Sequence, residues 1–142
     1  MAEQTTKVRP TGASAVLRRH GFPLVTSATG GEIQIVTGAS QPGFNPIDLL
    51  YASLSACMAM SARIAANQMG LLDRLTDIRA DVTGEKASEG LSRVKRFNIM
   101  LTIRGDIDDE SRHAIAKAAE EEICTVSNTL RGGADFSLKV SD

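Results

Sequence analysis

The stretch from Pro46 to Met69 limits this chain more than any other part of it. Asn45 is a good N-cap, and Pro46 suits the first helical position. Asp48 stands three residues after the cap, where a carboxylate complements the positive end of the helix dipole. The pattern predicts a helix from Pro46 to about Met69, stopped by Gly70. Leu49, Leu50, Leu54, Cys57, Met58, Met60 and Ile64 point in almost every direction around its axis. A helix apolar all round is buried on all sides. A chain of 142 residues has little protein to surround so long a helix, so a second subunit is expected to cover it. The uncharged run between Asp48 and Arg63 contains Ser53, Ser55 and Ser61 and is short for a bilayer span, so no membrane partner is expected.

Around this helix the chain reads as strands in runs. Ala13–Arg19, Phe22–Thr26 and Glu32–Val36 are expected strands, with turns at His20-Gly21 and Gly30-Gly31. Asp77–Thr83 and Val94–Arg104 alternate cleanly, with 84–90 expected as their hairpin loop. Acids at 106–110 open a second helix that carries Ile115, Ala116, Ala119 and Ile123 at helical spacing. A short segment from Cys124 to Arg131 ends at Gly132-Gly133, and Asp135–Val140 is expected as a last strand. Grouped strands imply antiparallel pairing and an α+β architecture. No repeat or linker divides the chain, so residues 1–142 are expected to form a single domain, with residues 1–12 frayed.

Composition closes several functional classes. Lys plus Arg number 16 and Asp plus Glu 17, a formal charge of −1, which argues against a nucleic-acid partner. With 4% aromatics and no Trp there is little to build a base-stacking platform. Residues 1–7 lack the apolar core of a secretory signal, so a cytoplasmic location is expected. His20 and His113 have no metal-ligand spacing, and no phosphate loop, dinucleotide fingerprint or nucleophile elbow is present. Neither a metal nor a cofactor is expected.

Cys57 and Cys124 are the two cysteines. In a reducing compartment they are either inert core or redox chemistry. Cys57 sits mid-helix among apolar residues, where a thiol often only fills space; burial raises its pKa unless a nearby cation offsets it. Cys124 opens a short helix, where free backbone N–H groups lower a thiol's pKa; its alternative is a packed helix junction. Two cysteines on different apolar helices can meet in a folded core. The cation candidates are Arg18 and Arg19, read as the end of the first strand, where only one of the two can face the core side. Asp48 is the natural partner for that Arg. A regular helix sets it about 13 Å along the axis from Cys57, so it reaches that thiol only from a second subunit or a distorted first turn.

The run from Gln41 to Cys57, with Gly43-Phe44-Asn45-Pro46, Asp48-Leu49-Leu50 and Ala56-Cys57, resembles the OsmC/Ohr family. Ile123-Cys124-Thr125-Val126-Ser127-Asn128 resembles that family's second-cysteine segment, and the order of strands and helices fits over nearly the whole chain. The resemblance implies an OsmC-like fold: antiparallel sheets packed on a long buried central helix, in an intertwined homodimer with sites at the interface. It implies a thiol-dependent peroxidase of oxidative-stress defence that acts on organic hydroperoxides. Cys57 takes the peroxidatic role and Cys124 the resolving one. An Arg, Arg18 or Arg19, and an acid, Asp48, activate the thiolate, and a dithiol such as a lipoyl group is the reductant.

Two departures stand out. Organic-hydroperoxide members carry Glu directly after the Pro, where this chain has Ile47 and places its acid one position later. Thr125 stands where Pro often follows the second cysteine. The spacing is closer to the broad OsmC-like group than to the strict organic hydroperoxide resistance subgroup. The alternative reading is a non-catalytic OsmC-like dimer that binds a small hydrophobic or thiol ligand in the interfacial pocket.

Overall fold

A computed structural model describes residues 6–38 and 40–141. They fall into two compact units, one up to Leu49 and one from Leu50 onward. The first unit holds an antiparallel sheet in the order β1-β2-β3: β1 Ala13–Val16, β2 Leu24–Ser27 and β3 Glu32–Gln34. Ala15 and Ile33 lie either side of Val25 in the register. Gly30, at φ +97°, makes the tight β2–β3 turn that the sequence predicts.

The first strand is shorter than expected. It ends at Val16, so Arg18 and Arg19 lie beyond it, both exposed. Gly21 turns the chain at φ +88°, and Pro23 has no N–H to give a ladder. The alternation argument that allowed only one Arg to face inward therefore does not apply.

Helix α1 runs from Pro46 to Gln68, as the cap predicts. Asn45 and Asp48 close a reciprocal box: Asp48 N–H donates to Asn45 Oδ1 at 2.7 Å, and Asn45 N–H donates to Asp48 Oδ2 at 3.0 Å. Gly70, at φ +73°, ends the turn after the helix. By length and composition α1 could cross a membrane, a test that soluble core helices also pass. Only one of its faces is buried in the chain itself, through Leu54, Met58, Ser61, Ala62, Ala65 and Ala66. Met60 stays 58% exposed and Ile64 45%. Burial on all sides is thus not achieved by this chain alone.

Below that buried face lies a long antiparallel hairpin, β4 Leu75–Lys86 and β5 Val94–Gly105. Ile78 pairs with Ile103, Ala80 with Leu101 and Val82 with Ile99, and these residues pack into the same core as Leu54 and Met58. The outer face carries exposed ion pairs such as Arg79–Asp81 at 2.9 Å and Arg104–Asp77 at 2.9 Å. Such pairs stabilise little in open water.

Strand β4 continues through Gly84, which the sequence suggests as the start of a loop. Tyr51 of α1 explains the glycine. Its hydroxyl end occupies the space where a Cβ at 84 would stand, and its ring meets Phe97, the cross-strand partner of Gly84, edge-on at 6.1 Å. Gly here marks the close approach of a side chain to the strand, not a turn.

Helix α2, Asp109–Ala118, is capped by Asp108, whose side chain accepts from Ser111 N–H at 2.7 Å. The chain then widens into a π-turn over Ala119–Ile123 and breaks at Cys124, which is extended at φ −67°, ψ 106°. Helix α3 follows over Thr125–Gly132 and stops at Gly133, at φ +64°. The expected last strand does not form. Phe136, Leu138 and Val140 alternate as a strand should, but they are 99%, 89% and 92% exposed and pair with no strand among the described residues. Strand pattern without a pairing neighbour does not hold a strand.

Candidate functional site

The break between the π-turn and α3 puts Cys124 against Cys57. Cys124 N–H still reaches back to Ala119 O at 2.9 Å, the wide turn of a π segment. Its own sulfur acts as the cap of α3, accepting from Ser127 N–H at 3.4 Å. Cys124 is fully buried; Cys57, arriving from α1, is half-buried. Both are free thiols, and Cys57 packs against the core cluster that holds Cys124, near enough for each to shift the other's titration.

The two sulfurs titrate in opposite directions. Burial pushes the Cys57 thiol up, but hydrogen bonds to its thiolate together outweigh it. They come from the Val126 backbone, the Cys124 side chain, the Ser61 hydroxyl and the Thr125 backbone, and the net shift is downward. Burial also pushes Cys124 up. The Ser127 amide opposes that push, but the bond to Cys57 and its charge reinforce it, and the net shift is upward. Of the two thiols, Cys57 is therefore the readier to ionise.

This corrects two expectations about charge. The amides at the start of α3 lower a thiol's pKa, as the sequence suggests, but the thiol that benefits on balance is Cys57 rather than Cys124. The offset to burial at Cys57 also comes from oriented dipoles, with no cation contributing among the described residues. Chemically, a thiolate beside a protonated thiol is a nucleophile with a partner able to close a disulfide.

Of the sequence-predicted site residues, then, Cys57 and Cys124 are brought together. Asp48 spends its carboxylate on the α1 cap. Arg18 borders a hollow of about 500 Å³ in the first unit with Val16, His20, Phe22 and Leu24, and Arg19 lies exposed beside it in sequence. The residues that sequence reasoning missed are Ser61 and the amides of Thr125 and Val126. Spacing offered one signal: Ser61 is four positions after Cys57, on the same helical face. Backbone amides carry no sequence signal at all. A second hollow, of about 390 Å³, lies against α3 and β5, walled by Leu54, Phe97, Ile99 and Leu130 and reaching Ser127.

No curated protein matches the chain at a significant level. Among solved structures, an OsmC-like protein from Mycoplasma pneumoniae superposes with a TM-score of 0.72 at 20% identity, covering 87% of this chain and 88% of that one. A hypothetical protein from Aquifex aeolicus gives 0.71 at 17% identity, covering 92% of each. The organic hydroperoxide resistance protein OhrB of Bacillus subtilis gives 0.63 at 26% identity, covering 88% of this chain and 93% of that one. The α+β arrangement of antiparallel sheets and helices is shared with these structures. The family model for OsmC-like protein matches residues 38–139, a span that contains both cysteines, and the chain belongs to that family.

Proposed function

We propose that the chain is a two-cysteine peroxidase that reduces organic hydroperoxides. The observation that carries this reading is the pairing of the two thiols: Cys57 packs against the core cluster that holds Cys124, and the two shift in opposite directions, Cys57 down and Cys124 up. The Cys57 thiolate attacks the terminal peroxide oxygen; an S–O bond forms, the O–O bond breaks, and the alkoxide leaves as alcohol after taking a proton. The sulfenic acid is then attacked by Cys124 sulfur, which loses its proton; an S–S bond forms and water leaves. A dithiol, such as a lipoyl group, reduces the disulfide and is itself oxidised. Relatives of this fold that are organic hydroperoxide resistance proteins support the substrate class.

Arg18 or Arg19 and Asp48 are assigned to thiolate activation on the strength of the family resemblance. A homodimer is assigned because Met60 and Ile64 of α1 and the Phe136–Leu138–Val140 edge leave apolar surface without cover. A cytoplasmic location goes with the free thiols. The test is one equivalent of cumene hydroperoxide followed by a count of free thiols. Loss of both thiols with no change in oligomer mass is expected. Retention of both thiols favours the alternative, a dimer that binds a small hydrophobic or thiol ligand. Sedimentation at micromolar concentration is expected to give the mass of a dimer; a monomer with native helix content overturns that assignment.

A further inference from the structure

We infer that Asn128 and Arg131 are positioning residues for Cys124: their side chains clasp α3 back onto the π-turn and fix the break at which that cysteine stands. The inference rests on the reading of Cys124 as the resolving thiol, but not on the identity of the oxidant.

The break leaves carbonyls to be satisfied. The last carbonyls of any helix lack an intrahelical donor. Here the Cys124 N–H goes back to Ala119 O at 2.9 Å, so the carbonyls after Ala119 need donors from elsewhere. Side chains of α3 meet two of them. Asn128 Nδ2 donates to Glu122 O at 3.2 Å. Arg131 Nη1 donates to Glu120 O at 3.5 Å, and the same guanidinium pairs with the Glu120 carboxylate. Asn128 and Arg131 are three positions apart, on one face of α3. Asn128 also spans the cysteine. Its backbone N–H donates to Cys124 O at 3.0 Å, while its side chain holds the carbonyl of Glu122, two residues before.

Helix formation alone does not explain asparagine here. The position is exposed, and Asn is a weak helix former. Thr129 beside it shows the ordinary use of a polar side chain in a helix: its hydroxyl bonds back to Thr125 O at 2.7 Å, inside α3. Asn128 and Arg131 reach out of α3 instead, across the break. Eight residues are too few for a helix to hold itself, so contacts of this kind decide how α3 sits on the π-turn. With the backbone clasped, Cys124 keeps the rotation of its side chain and little else. The entropy of ordering the break is then lost on folding, before any S–S bond forms.

The test is the equilibrium between dithiol and disulfide in the full chain, with no peroxide present. The protein is equilibrated with mixtures of reduced and oxidised dithiothreitol, quenched in acid, alkylated and read by mass. Cys57 and Cys124 give two electrons and two protons to the oxidised reagent, whose own S–S bond opens. Asn128→Asp keeps the shape and replaces the donating amide with a carboxylate; Asn128→Ala removes the amide. Asp suits the opening turn of a helix and Ala suits any turn, so a purely helix-forming role predicts an equilibrium constant unchanged or raised. The clasp predicts that both variants lower it, roughly two- to tenfold, as for the loss of one hydrogen bond. Arg131→Met is expected to lower it as well. If Arg131→Met does not fold, the Asn128 variants decide. Wild-type constants in Asn128→Asp and Asn128→Ala overturn the inference. A wild type that closes no disulfide overturns it together with the resolving role of Cys124. A lowered constant in a protein that consumes no hydroperoxide would keep the clasp and remove the peroxidase reading. An unchanged constant in an active peroxidase would do the reverse.

Discussion

Helices α1 and α3 begin with different kinds of cap. At α1 the cap is an oxygen box: Asn45 and Asp48 satisfy each other's amides. At α3 the cap is the sulfur of Cys124, and the neighbouring amides of Thr125 and Val126 reach out to a second sulfur on another helix. An oxygen is the better acceptor, so α3 is capped less well than it could be. The first start is built for folding. The second gives up some helix stability and places its free amides where a negative charge is to be held.

The largest effect expected from this contrast is at the sulfur the α3 amides serve. Cys57→Ser should abolish hydroperoxide consumption while α3 stays folded; measurable turnover in that variant breaks the assignment of the amides to chemistry. Next is the cap itself. Cys124→Ala should lower the unfolding free energy by about 1 kcal/mol in urea, whereas Cys124→Ser, with an oxygen in place of sulfur, should retain or raise it. Both variants should let Cys57 oxidise without closing a disulfide, read as sulfinic acid by mass after excess peroxide. At α1, Asn45→Ala should also cost about 1 kcal/mol, with Cys57 alkylation unchanged. Asp48→Ala should cost a similar amount and, on its proposed activating role, also slow Cys57 oxidation; a wild-type oxidation rate would leave Asp48 to the cap alone and sharpen the contrast between the two helix starts.

The smallest effect is on stability against pH, and its sign follows from the two shifts. The folded state lowers the Cys57 pKa, so its contribution is full above the ordinary thiol value of 9.0 and is lost as pH falls through the folded value. The folded state raises the Cys124 pKa, so its contribution is full below 9.0 and is lost as pH rises through the folded value. The gap in urea midpoint between wild type and Cys57→Ser should widen as pH rises toward 9.0, and the gap to Cys124→Ser should close above it. A gap that does not move with pH would mean that folding leaves that thiol's pKa unchanged.

What the sequence reveals divides along the same line. The α1 start was legible to within a residue, because capping by Asn, Pro and Asp is local chemistry written in side chains. The long hairpin was legible in its alternation, although Gly84 read as a turn because its reason, Tyr51, lies in another element. The cysteines were legible as a pair only through the family resemblance, since their spacing in sequence does not say that they meet. The π-turn at 119–123 was not, since its extra residue serves a tertiary fit and leaves no local pattern. Nor were the amides that hold Cys57, which any residue at 125 or 126 except proline would supply. The absence of the expected strand at 135–140 marks the same boundary: alternation states which face is apolar, but a neighbour decides whether a strand forms.

A helix capped by sulfur carries a gauge of its own oxidation state. The Ser127 amide proton points at Cys124 Sγ, and that atom is a thiol in one state and half of a disulfide in the other. A disulfide sulfur has less electron density to offer, so the proton should be shielded differently and exchange with solvent at a different rate. One amide signal in a nitrogen-correlated spectrum would then follow the redox state of the protein in real time, with no label on either cysteine.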